Sequence, residues 1–195
     1  MDEFLTSTDV IDWQHPEVLA RARALRGDLT SAEDIARRCF EWVRDEITHS
    51  VDAGATVVTC AASEVLREGT GYCYAKSHLL AALLRANGIP AGLCYQRLSL
   101  DAEGTRFCLH GFNAVFLPAI GWYRVDARGN RVGIDTRFMP PAERLAFAIQ
   151  VPGEATLPDI FSAPLAVVVD TLRAHTHARE LADNLPDLPG KGPYG

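Results

Sequence analysis

The sequence predicts an α+β fold with helices packed on one side of an antiparallel sheet. Three observations predict it. Apolar residues recur at helical spacing as far as Arg85, the period becomes alternating or β-rich after Pro90, and helices precede strands along the chain. With 195 residues the chain is long enough for one well-buried core and too short for two full domains. The expected division is a core over residues 1–140, N-terminal helices included, with a C-terminal extension over 141–195 packed on it. The Pro- and Gly-rich tail is expected to fray from about residue 186.

Pro16 to Arg26 reads as a first helix, with Pro at its start and Gly27 just past its end. Thr30-Ser31-Ala32-Glu33 is a capping-box sequence that opens a second helix, whose Ile35, Cys39, Phe40, Val43 and Ile47 should face the core. A short helix over Ser63 to Arg67 leads into the loop Gly69-Thr70-Gly71-Tyr72-Cys73. A strongly apolar helix, Tyr74 to Arg85, follows and stops at Asn87-Gly88. Leu93 to Leu100, His110 to Leu117 and Trp122 to Asp126 read as three consecutive antiparallel strands, with turns at Asp101–Gly104 and Pro118–Gly121. Pro141 to Ala148 and Leu165 to Leu181 read as helical, and Phe138–Pro141 or the helix after it is expected to cover one side of a cleft.

A composition of 48% hydrophobic and 23% charged residues is that of an ordinary globular chain. The net charge of -6 is mild and dispersed, so neither nucleic acid nor an anionic membrane is expected as a partner. Met1 to Thr6 shows no basic leader or apolar h-region, and no apolar run is long enough for a bilayer; a cytoplasmic location is expected. The five cysteines form an odd set with no CxxC pair, which points away from a disulfide framework or a zinc knuckle.

Cys73 carries the chemistry. A glycine-punctuated loop that runs into a helix places its thiol at a helix N-terminus, where unpaired N–H groups and the helix dipole stabilise an anion. A nucleophile there needs a base, and the base needs a group to fix its tautomer. His110 opens the second predicted strand and Asp126 closes the third. In an antiparallel pair joined by a short turn these positions lie side by side. Each also has a plain structural reading, His110 as a satisfied sheet histidine and Asp126 as a turn-former. His78, Cys60, Cys94 and Cys108 read as packing residues, and the His175/His177 spacing does not suit a metal.

Gly71-Tyr72-Cys73, the helix end Leu83-Leu84-Arg85-Ala86-Asn87-Gly88-Ile89-Pro90-Ala91, His110 and the Trp122-to-Asp126 strand together resemble the core of the bacterial transglutaminase-like superfamily, whose fold is similar to that of papain-like proteases. The resemblance covers residues 31 to 130, about half the chain. It implies Cys73 as nucleophile, His110 as general base and then acid, and Asp126 as the group that orients His110. The chain departs from the usual pattern at Phe112, Ala114, Ala127 and Gly92, which marks a divergent subgroup.

The implied activity is acyl transfer through a thioester at Cys73, most simply hydrolysis of an amide or peptide bond, with no cofactor and no metal. The substrate class is a peptide or an amide-containing molecule. The Cys73 N–H is one expected oxyanion donor; His49 and Gln96 are the candidates for the second. Alternatives are a true amine-accepting transglutaminase, a non-catalytic peptide-binding module, and a metal site on Cys73 and His110 that would need further ligands. The oligomeric state is left open.

Overall fold

A computed structural model describes residues 1–188. After a 3-10 turn at Asp2–Leu5 come α1 (Pro16–Arg26), α2 (Ala32–Glu46), β1 (Thr48–His49), α3 (Ser50–Ala53), α4 (Ala62–Glu68), β2 (Thr70–Gly71) and α5 (Cys73–Ala86). Then follow β3 (Ala91–Ser99), β4 (Phe107–Leu117), β5 (Gly121–Val125), β6 (Arg137–Met139), β7 (Ala142–Arg144), β8 (Ala155–Thr156), α6 (Ala166–Ala174) and α7 (Ala178–Asp183).

The predicted stops and starts have local causes. Pro16 opens α1 and Gly27 ends it at φ 48°. Ser31 caps α2 by accepting from the Asp34 N–H, and Ile35, Cys39, Phe40 and Val43 are buried along one face. Glu64 does the same for α4, its carboxylate accepting from the Cys60 and Ala61 N–H groups.

Helix α5 is the centre of the molecule. Every residue from Cys73 to Arg85 is buried, as a helix apolar on nearly all sides must be. Its polar members make hydrogen bonds to the main chain, with only His78 Nε2 left without a partner. Lys76 donates to the carbonyls of Ile47 and Arg44 at the C-terminal end of α2, His78 Nδ1 meets Cys60 O at 2.8 Å, and Arg85 donates to the carbonyls of Ala91, Thr6 and Ser162.

The main sheet runs β5-β4-β3-β8, all antiparallel. β3 pairs with β4 from Ala91↔Val115 to Ser99↔Phe107, whereas β5 reaches only from Leu117↔Gly121 to Asn113↔Val125. The first half of β4, His110 included, therefore lies beyond the end of β5, where a cleft opens. Helix α5 packs on the face where Asn113 bonds to Ser77 O and Gly111 meets Tyr74. A small second core on the opposite face, Cys94, Phe112 and Ala114, is covered by Trp122, Leu145 and Ile160.

The region after Asp126 departs from expectation. Pro141–Ala148 is not a helix but strand β7 followed by irregular chain. Its apolar residues do not form one stripe: Leu145 joins the Cys94–Phe112 core, while Phe147 lies edge-on to His110. Phe138 is buried against Phe40 and Tyr123, so it does not roof the cleft; Ala146–Ala148 do. The helix expected over Leu165–Leu181 breaks into α6 and α7, because His177 pairs with Val57 as a β-bridge and Ala178 N donates to Thr56 O. Where fraying was expected, Pro186 O accepts from Leu109 N at 2.7 Å and Asp187 pairs with Arg97; the remainder of the tail, 189–195, lies outside the described residues. Among the described residues, no helix is long and apolar enough to cross a membrane.

Candidate active site

The chain delivers Cys73 by a series of constrained steps. Gly69 ends α4 at φ +66°, a conformation that L side chains rarely adopt. Thr70–Gly71 then pairs in parallel with Thr48–His49, and Tyr72 becomes the N-cap of α5. The Tyr72 side chain makes no capping bond, so the first N–H groups of α5 remain open beside the thiol. The helix sits flush on β4 because Gly111 has no side chain: a Cβ there would lie 3.0 Å from Tyr74 Cδ1 and 3.1 Å from Tyr74 Cα. Gly111 N in turn donates to Cys73 Sγ at 3.4 Å.

His110 and Asp126 meet as the strand geometry predicts. His110 Nε2 lies 2.7 Å from Asp126 Oδ2, both side chains being buried. With Nε2 engaged by Asp126, Nδ1 is the ring nitrogen left for the Cys73 thiol, whose charge is among those that act on the ring. Burial alone would depress the imidazole pKa, but the charges of Asp126 and Cys73 and the bonds to them push it well above its usual range. Asp126 is the converse case. Burial would raise its pKa, yet His110 and the N–H groups of Ala146 and Arg128 hold it below the usual carboxylate value. An acceptor of three hydrogen bonds is fixed in place, and so is the ring it holds.

The two oxyanion candidates separate. His49 lines the cleft with Cys73 and is 9% exposed; burial, with the nearby Arg128 guanidinium, pushes its pKa down to about 3, so it is a neutral imidazole. Its Nδ1 is buried without a partner. Gln96 does not line the cleft. It lies opposite His110 in the ladder, and its amide N–H2 is spent on Phe147 O and Thr156 Oγ1, each at 3.2 Å, so it braces the cleft wall instead.

The cleft has a volume of about 670 Å³ and contains Cys73, His110 and His49, with Tyr72, Tyr74 and Phe147 among its walls. Sequence reasoning missed two supports, Arg128 and Ala146. Arg128 had a readable signal, since an aspartate commonly accepts from the backbone N–H two residues on. Ala146 had none, because its contribution is a main-chain N–H brought from 20 residues away. Among the described residues, no group of three or more His, Cys, Asp or Glu side chains is arranged to hold a metal ion.

The chain has likenesses to solved structures. A protein from Cytophaga hutchinsonii, named as a candidate cysteine protease, superposes with a TM-score of 0.52 at 19% identity, covering 64% of this chain and 40% of that one. The periplasmic domain of TgpA from Pseudomonas aeruginosa gives a TM-score of 0.45 at 21% identity over 57% of this chain and 42% of that one. This chain thus spans less than half of either structure, and the first likeness is one of fold. No curated protein matches. The sequence pattern of the transglutaminase-like superfamily, in contrast, matches residues 20–127, more than half the chain and every residue from α2 to Asp126, and on that ground the chain belongs to the transglutaminase-like superfamily.

Proposed function

We propose that this protein is a cysteine-dependent acyl-transfer enzyme that cleaves an amide or peptide bond through a thioester at Cys73. The observation that carries the reading is the His110–Asp126 pair, buried at 2.7 Å, in one cleft with a thiol at an open helix N-terminus. Such an arrangement can hold a thiolate–imidazolium pair.

The Cys73 sulfur attacks the carbonyl carbon, forming the S–C bond as the carbonyl π pair moves to oxygen. The Cys73 N–H and the His49 ring, protonated on the nitrogen that faces the cleft, receive that oxyanion. An unpartnered, buried Nδ1 favours this tautomer, because the proton finds an acceptor only on the cleft side. As the oxyanion collapses, the C–N bond breaks and His110 Nδ1 gives its proton to the departing amine. Water then attacks the thioester while His110 takes its proton; the acid leaves and the thiolate is restored. Asp126 keeps the ring in register and stabilises its charged form through both steps.

The test is iodoacetamide labelling across pH, in the native protein and in His110→Ala, with the modified residue located by mass spectrometry. Burial pushes the thiols of Cys39, Cys94 and Cys108 up to about 12 and that of Cys60 up to about 11, so these are poor competitors. Selective labelling at Cys73 near neutral pH, slowed in His110→Ala, is the expected result. Sluggish labelling indifferent to His110 would overturn the enzyme reading in favour of a binding module.

A further inference from the structure

We infer that this cleft accepts a neutral, apolar group four or five bonds beyond the scissile carbonyl and discriminates against charged ones, acidic groups most of all. The inference rests on Cys73 being the nucleophile and adds the class of substrate.

Two observations lead to it. Cys108 precedes His110 by two residues on β4, so the two share a sheet face about one strand repeat, roughly 6.6 Å, apart. Leu98 is the ladder partner of Cys108, and Leu100, Val151 and Leu185 also line the cleft. A group four or five bonds beyond the reacting carbonyl therefore reaches a patch of aliphatic carbon and neutral thiol. Burial holds Cys108 protonated by pushing its pKa up to about 12. Leu100 is 44% exposed, a large apolar side chain left uncovered at the mouth of the cleft.

The second observation is that the charges in the same walls are already engaged. Asp101 accepts from Thr105 N, Thr105 Oγ1 and Arg106 N. Glu154 accepts from Ser99 N, Gln150 N and Val151 N. Arg128 forks onto Asp52, and His110 is held by Asp126. The two cationic groups are thus committed to carboxylates, and Asp101 and Glu154 each already accept three hydrogen bonds. The unneutralised charges at the Leu100 end are the carboxylates of Asp101 and Glu154, so an anionic group is the least favoured there.

The test uses electrophiles that need no turnover: iodoacetamide itself and its N-hexyl, N-(5-aminopentyl) and N-(5-carboxypentyl) derivatives. Each reacts by displacement of iodide by the Cys73 sulfur, and rates are normalised to those with glutathione. The hexyl compound should outpace the carboxylate by about 10-fold or more, with the amine between them. Leu100→Lys, a change at an exposed position, should lose most of the hexyl advantage and speed the carboxylate. Equal normalised rates for the three tails, or a preference for the carboxylate, would overturn the inference while brisk labelling by plain iodoacetamide left the nucleophile reading intact. Failure of plain iodoacetamide to label Cys73 selectively would instead remove the reading on which it rests.

Discussion

The two walls of the cleft are built in opposite ways. The Cys73–His110 wall is regular: α5 lies buried on β3 and β4, and apart from the open N–H groups at the start of α5 its backbone groups are consumed by helix and ladder. The facing wall, Ala146 to Glu154, contains no helix or strand and hangs on side chains. Asp126 takes the Ala146 N–H, Gln96 holds the Phe147 carbonyl, and Glu154 gathers the N–H groups of Gln150 and Val151. The position of the reacting atoms is thus a cooperative property of the core. The position of the facing wall is a sum of a few contacts, each worth about 0.5–1.5 kcal/mol net and each removable by one substitution.

Asp126 belongs to both walls, and its removal should have the largest effect. Asp126→Ala strands a buried His110 and frees Ala146, and about 3–5 kcal/mol of stability should go, read as a lower denaturant midpoint. Its pH dependence has two limbs. The depressed Asp126 pKa contributes stability that is present above the unfolded value of 3.8 and is lost as pH falls through the folded one. The raised His110 pKa contributes stability that is complete below 6.5 and is lost as pH rises through its folded value. The part of the stability that depends on this pair, read as the difference in denaturation midpoint between the native protein and Asp126→Asn, should therefore plateau between roughly pH 4 and 6.5 and shrink on either side. A difference that stays constant across pH would dissociate the pair from stability.

The next contrast separates chemistry from support. His49→Phe keeps a ring against Tyr72, 5.6 Å away in the native protein, and removes the N–H. Turnover of an amide substrate should fall about 100-fold with Cys73 alkylation little changed, since alkylation makes no oxyanion. Gln96→Leu acts on the other wall. It should lower kcat/KM about 10-fold and stability by about 1 kcal/mol, while native-like pH dependence of labelling shows that Cys73 and His110 have not moved. If Gln96→Leu abolished labelling, the two walls would not be separable.

The same division explains what was legible in the sequence. Elements whose signals are local were readable: Pro16 and Gly27 bounding α1, the start of α2 (one residue on from the Thr30–Glu33 box, with Ser31 as the cap), the glycine loop before Cys73, and the period change that placed His110 beside Asp126. The facing wall was not. Leu145 to Ala148 carry a helical-looking apolar run, but the chain spends those residues one by one on different surfaces, and nothing local records that choice. Gln96 was misassigned for the same reason. Its strand lies beside that of His110 and places it opposite that residue, but only the distant Phe147 and Thr156 determine where its amide points. The loop holding Ala146 closes over tertiary contacts, and tertiary contacts override local preference.

Glu154→Gln should give the smallest effect and the sharpest reading of how independent the walls are. The carboxylate serves three N–H donors on two segments, Ser99 on β3 and Gln150–Val151 on the wall. A carboxamide retains one acceptor oxygen and turns an N–H2 towards the remaining donors, so part of this clamp must open. Because the group sits in a surface turn, global stability should barely move. Amide exchange at Gln150 and Val151 should quicken, with exchange along α5 unchanged. Equal acceleration in α5 would mean that the wall and the core open as one unit. The Cys73–His110 geometry would then depend on the irregular wall as much as on the helix and sheet that carry it.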